Sequence, residues 1–166
     1  MKDKDELINV LIQNYQQQLS QYEKILKYNK KQYNNLVNDD FTEITELNKQ
    51  KEKTIKKIKK LQKSIFPSRE QLAKKFRIKN NKNFISDLIQ QNISQKKKLK
   101  KIAKEIVKVI NEIDNYNQKI EKAIKEKKQN LQNEVKQLST GKKLFNSYTT
   151  SSISNSVEGK FIDNEG

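Results

Sequence analysis

The 166-residue chain carries 36 Lys and Arg against 20 Asp and Glu, a net charge of +16, with only 33% hydrophobic residues, three Gly and one Pro. So few breakers favour long helices over many strands, and so few apolar residues suit a seam between helices better than a broad core. The chain has no His and no Cys, and neither a Gly-rich phosphate loop nor a Gly-x-Ser-x-Gly elbow occurs, which excludes imidazole bases, thiol nucleophiles, zinc sites and disulfides.

The chain is therefore expected to be no enzyme, with no catalytic residue, no metal and no cofactor. The N-terminus, Met1 to Glu6, is mixed in charge, and the apolar stretch Leu7 to Ile12 is short and broken by Asn9, unlike a signal peptide. No window approaches the roughly 18 apolar residues of a membrane span. A soluble cytoplasmic protein is expected. Residues 49–137 hold 27 Lys and Arg against 9 Asp and Glu, a net of +18, whereas residues 1–48 come to −2 and residues 138–166 to 0. Such a middle attracts polyanions, but all cations except Arg69 and Arg77 are Lys. Lysine filling solvated helix faces is the preferred reading, because bidentate phosphate and base recognition recruits Arg.

The first helix is expected over about 7–37. Ile8, Tyr15, Tyr22, Asn29 and Leu36 repeat every seven residues, and Ile12, Leu19, Leu26 and Tyr33 form a second row four on, which makes one face. Asn29 in that row is expected to fix register at some cost in stability, and the tyrosines to pack in the core. Asn38-Asp39-Asp40 is the turn. Asp40 with Glu43 has the spacing of a capping box, and so short a connection makes the next helix antiparallel. That helix is expected over about 40–65, with the stripe Phe41, Ile44, Leu47, Ile55, Ile58, Leu61 and Ile65 and a weak middle at Asn48 and Lys51. Pro67 is expected to stop it, and Ser68 with Gln71 to open a short helix over 68–77. A long helix is then expected over about 84–138, its stripe widest from Leu99 to Ile124. Gly141 is expected to cap it.

The composition changes at Gly141. Seven of the ten residues from Ser147 to Ser156 are Ser or Thr, and an apolar knot, Phe161-Ile162, lies close to the end. The expected organisation is thus an all-α, extended antiparallel helical bundle over residues 1–141, a helical hairpin plus one long helix, with a flexible tail over 142–166.

The order of parts resembles the flagellar export chaperones of the FlgN type. Asn38-Asp39-Asp40-Phe41-Thr42-Glu43-Ile44-Thr45-Glu46-Leu47 followed by Lys51-Glu52-Lys53 is similar to that family's start of the second helix. The Pro-containing break and the long helix that follows also match. The family's paired Asn, three apart, is blurred here into Asp114-Asn115-Tyr116-Asn117. The tail, Tyr148 followed by a polar linker and Gly159-Lys160-Phe161-Ile162-Asp163, is similar to the family ending.

The resemblance implies a non-hydrolytic chaperone. Such a chaperone binds the C-terminal helices of hook-associated proteins and delivers them to the flagellar export gate. It points to Leu131, Val135, Leu138, Leu144 and Phe145 for cargo, to Tyr148 for docking on the gate, and to Phe161 and Ile162 for either partner. Two alternatives remain open: a scaffolding coiled coil that homodimerises through the same stripe, and a basic helical protein that binds nucleic acid.

Overall fold

The computed structural model describes the backbone of residues 3–162 and the side chains of residues 3–149. It holds four helices in the order α1 (Lys4–Val37), α2 (Ile44–Phe76), α3 (Phe84–Gln90) and α4 (Lys96–Ile162), with no strand among the described residues. The fold is all-α, as the composition implies. Contacts divide the chain into two units, residues 1–123 and 124–166, with α4 contributing to both.

α1 starts where Asp3 accepts from the Lys4 amide at 2.6 Å. It ends in a Schellman turn. The Asp40 amide donates to the Asn35 carbonyl at 2.9 Å and the Asp39 amide to that of Leu36 at 3.3 Å, with Asp39 in the left-handed region at φ 55°. A small polar residue tolerates that conformation where Gly is otherwise favoured. The expected capping box does not form. Asp40 Oδ1 instead accepts from the Thr42 hydroxyl and amide, at 2.6 and 3.1 Å. Glu43 reaches across to Lys31 of α1 at 2.8 Å. Both carboxyl groups are held below the ordinary range, Asp40 chiefly by the Thr42 hydroxyl and Glu43 chiefly by Lys31.

α1 and α2 are antiparallel. Asn14 Nδ2 donates to the Leu61 carbonyl at 3.0 Å, and Gln32 Nε2 to Asn48 Oδ1 at 3.4 Å. The first seam residues are apolar, but Asn14, Gln18, Asn29 and Gln32 are buried as well. Of these polar members of α1, Asn14, Gln18 and Gln32 are missing from the rows of the sequence, which include Asn29. Phe41 and Ile55, expected in the α2 stripe, are 54% and 40% exposed, while Thr54 is buried. Thr54 satisfies its hydroxyl on the Gln50 carbonyl at 2.8 Å. Lys51 lies in the middle of this seam and donates to Gln32 Oε1 at 2.8 Å; its burial lowers the ammonium pKa.

Pro67 does not end α2 but sits inside it, so the short helix expected over 68–77 is the last part of α2. Proline in a helix interior costs about 3 kcal/mol. Ile65, Leu72 and Ala73 are buried on either side of it. Each fully buried Ile or Leu contributes about 1.5–3 kcal/mol, enough to carry the helix through. Replacing Pro67, itself exposed, by Ala should therefore raise stability by about 2 kcal/mol. That figure is the helix cost less the entropy the unfolded chain regains, and chemical denaturation measures it. An unchanged or lower midpoint would show that the Pro67 conformation is required by packing.

The expected third helix is also different. It breaks between α3 and α4 at residues 91–95, where Gln95 takes φ 55° and its side chain bonds Asn9 Oδ1. Asn92 and Ser94 favour turns, and the break lets Ile93 turn into the core. That core joins Leu7, Ile8, Leu11 and Ile12 of α1 to Ile65, Leu72 and Ala73 of α2, Phe84 and Leu88 of α3, Ile93, and Leu99 and Ile102 of α4. It lies where the start of α1, the end of α2 and the start of α4 meet.

α4 then runs parallel to α1. Asn29, fully buried, donates through Nδ2 to Asn117 Oδ1 at 2.8 Å. Tyr33 meets Tyr116 edge-on with ring centroids 6.0 Å apart, and Lys119 lies over the Tyr116 ring at 4.8 Å. The blurred Asn motif of the sequence thus supplies the partner of the register residue Asn29.

Candidate partner-binding surface

The expected helix end at Gly141 is not observed: α4 continues through it to Ile162. Gly141 does not adopt positive φ, and Ser and Thr side chains fit into the helix by bonding back onto it. Thr140 Oγ1 donates to the Lys136 carbonyl and Thr149 Oγ1 to that of Phe145, both at 2.9 Å. Such back-bonding satisfies the two hydroxyls within the helix.

From Ile124 to Thr149, α4 spans about 39 Å. Ile124, Leu131, Leu138 and Phe145 recur every seven residues and are 48%, 60%, 73% and 68% exposed. Val135 lies on the same face. Leu144, one residue from Phe145, points about 100° away from it, and Tyr148 lies on the flank of the stripe. Both are well exposed. The cargo candidates therefore fall into a stripe, Leu131, Val135, Leu138 and Phe145, and one residue outside it, Leu144. Phe161 and Ile162 belong to the helix, but their side chains lie outside the described residues.

The stripe contains a hollow. Leu138, Gly141, Lys142 and Phe145, with Glu134 and Gln137, line a shallow, open hollow of about 690 Å³. Positions i, i+3, i+4 and i+7 are the four corners of the hole that receives a knob in coiled-coil packing. At Gly141 the corner is empty, and a Cβ added there would meet nothing within 4 Å. Such a hole admits a larger knob than one closed by a side chain. The expectation of a helix end at Gly141 passes over this feature.

Gly141→Ala separates the two roles. The substitution should stabilise this part of α4 by about 1 kcal/mol, the helix-propensity difference, seen as higher helical content by circular dichroism. It should also weaken a partner that fills the hole. Equal or tighter binding would mean that the partner does not use that corner.

Among the described residues no three Asp or Glu side chains come together to hold a metal, and the Asp40 carboxylate is engaged by Thr42. No helix of the described residues is long and apolar enough to cross a membrane.

Compared with known families, residues 1–152 match the model of the FlgN protein family. The chain belongs to the FlgN family. Membership makes it a flagellar export chaperone, one of a family of chaperones rather than of enzymes, with flagellar proteins as partners. No curated protein and no solved structure matches it.

Proposed function

We propose that this chaperone works in the cytoplasm, binds the C-terminal helices of hook-associated proteins and delivers them to the export gate. The α4 stripe is its cargo surface. The observation that carries the reading is the exposed row Leu131, Val135, Leu138 and Phe145 around the hollow at Gly141. A soluble protein gains nothing from exposing such a row unless a partner covers it. A cargo helix laid along it buries four or five large apolar side chains, each contributing about 1.5–3 kcal/mol before ordering costs. The sum supports roughly micromolar binding, strong enough to hold the cargo and weak enough to release it. The helix-in-groove mode needs no chemistry and no cofactor.

Tyr148, on the flank of the stripe and 76% exposed, is the candidate for docking on the gate. Phe161 and Ile162 remain candidates for either partner. Light scattering on the full chain mixed with a hook-associated protein of its own organism tests the reading, with a one-to-one complex expected. A salt-stable homodimer with no affinity for any such cargo would assign the stripe to scaffolding instead. Tyr148→Ala should reduce export while cargo affinity is unchanged; loss of cargo binding in that variant would move Tyr148 into the cargo surface.

A further inference from the structure

A second apolar surface lies within residues 1–123, on the side of α3. Phe66 of α2 and Val107 of α4 are 51% and 58% exposed. Between them Tyr15, Ile85, Ala103 and Ile106 form the half-buried floor of a groove of about 510 Å³. The groove continues past Ile89 and Ala103 into a second hollow of about 490 Å³. Scattered apolar residues on a surface need no explanation, but a continuous row in a concavity does.

The charged residues lining the two hollows are Arg69, Lys82, Lys100 and Lys104, and no Asp or Glu is among them. Arg69 is fixed in place. Its Nη2 donates to the Asn81 carbonyl at 3.0 Å, and its guanidinium lies 4.6 Å over the Phe84 ring. Its Nε has no acceptor, and the side-chain amide of Asn80 has neither donor nor acceptor, although all three atoms are buried. Polar groups left so in a folded protein are uncommon. An arginine already ordered by packing loses little freedom when it takes a carboxylate, and its planar fork suits one.

We propose that this groove docks an acidic amphipathic helix of a partner protein. Apolar side chains of the helix insert between Phe66, Ile85, Ala103 and Val107, and its carboxylates meet Arg69, Lys82, Lys100 and Lys104. The charge pattern decides the occupant. Cations alone around an apolar floor repel a basic segment and attract an acidic one. The proposal is independent of the cargo reading, since the groove belongs to residues 1–123 and the stripe to 124–149. It gives the chaperone a second contact surface on separate residues from the cargo stripe.

The test uses the full chain and an 18-residue fluorescein-labelled helical peptide with Leu and Phe on one face and Glu on the other. Its counterpart has Lys in place of every Glu. Fluorescence anisotropy should show binding of the Glu peptide only, weakening as salt rises. Val107→Glu should lower the affinity at least about tenfold, as loss of a central anchor does. The charge reversal Lys100→Glu with Lys104→Glu, at two exposed positions, should lower it similarly. Leu138→Glu should leave it unchanged.

Equal binding of the Lys peptide, or full affinity in both groove variants, would overturn the proposal. So would loss of binding in Leu138→Glu, which would place the peptide on the α4 stripe. A homodimer that Val107→Glu dissociates would assign the groove to a second copy and overturn it as well.

Discussion

Phe84→Ala should destabilise residues 1–123 by about 3–5 kcal/mol, the largest effect of any single side chain in the fold. Phe84 is fully buried and is the largest such residue among the described residues. It also opens α3, a helix of only seven residues. Helices that short have no stability of their own in water, so α3 exists because Phe84 and Leu88 anchor it among Leu7, Leu72 and Leu99. Truncation leaves a cavity that neighbours from three other helices cannot close together, and Arg69 loses the ring beneath its guanidinium. Domains of this size have about 5–15 kcal/mol to lose, so the variant should unfold at much lower denaturant. Phe66→Ala is the control. That ring is half exposed, and its loss should cost less than about 1 kcal/mol. If the two variants unfolded together, the core would not be centred on α3, and the break at residues 91–95 would lose its physical reason.

That break shows how far the sequence was legible. A seven-residue repeat can be counted, so α1 and its turn at residues 38–40 were readable to within a few residues, as were the all-α fold and the place of Asn29 in the seam. Three features were hidden because each depends on a competition that local pattern does not decide. Pro67 is tolerated because burial of Ile65 and Leu72 outweighs a missing hydrogen bond. The break after α3 sets two more turns of helix against burial of Ile93, and burial prevails. In α1, the seam at Asn14, Gln18 and Gln32 is polar: α2 supplies Leu61 to Asn14 and Asn48 and Lys51 to Gln32, while Gln18 donates to Asn14 of its own helix. An apolar count passes over such positions. The surface on α4 was legible in its residues but not in its shape. Leu131 and Leu138 fall within the expected third helix, but reading Gly141 as a cap hid the fact that Phe145 continues their stripe beyond it. The groove beside α3 was hidden altogether. Its lining combines residues of α1, α2, α3 and α4, and no stretch of sequence announces that Phe66 and Val107 lie on one surface.

Leu138→Glu should lower cargo affinity about a hundredfold or more while leaving the protein's own stability unchanged. The side chain is 73% exposed, so nothing in the fold depends on it, and Leu and Glu have similar helix propensities. The new carboxylate stands four residues after Glu134 and four before Lys142. One neighbour opposes it and the other favours it, each by a few tenths of a kcal/mol, so the helix gains and loses about equally. In the complex the balance is different. A leucine at the centre of the stripe gives up about 1.5–3 kcal/mol of burial when replaced, and a carboxylate facing an apolar partner adds the cost of its desolvation. At 1.4 kcal/mol per tenfold, the total reaches two orders of magnitude. Titration calorimetry with a hook-associated protein measures the affinity, and a thermal melt of the free chain verifies that the fold is intact. Leu144→Glu supplies the comparison, since Leu144 is as apolar and nearly as exposed but lies about 120° around the helix from Leu138. A flat stripe predicts loss in the first variant and retention in the second. Equal loss in both would mean that cargo wraps around α4 and contacts more than one of its faces, and the hollow at Gly141 would then be only one of several points of attachment.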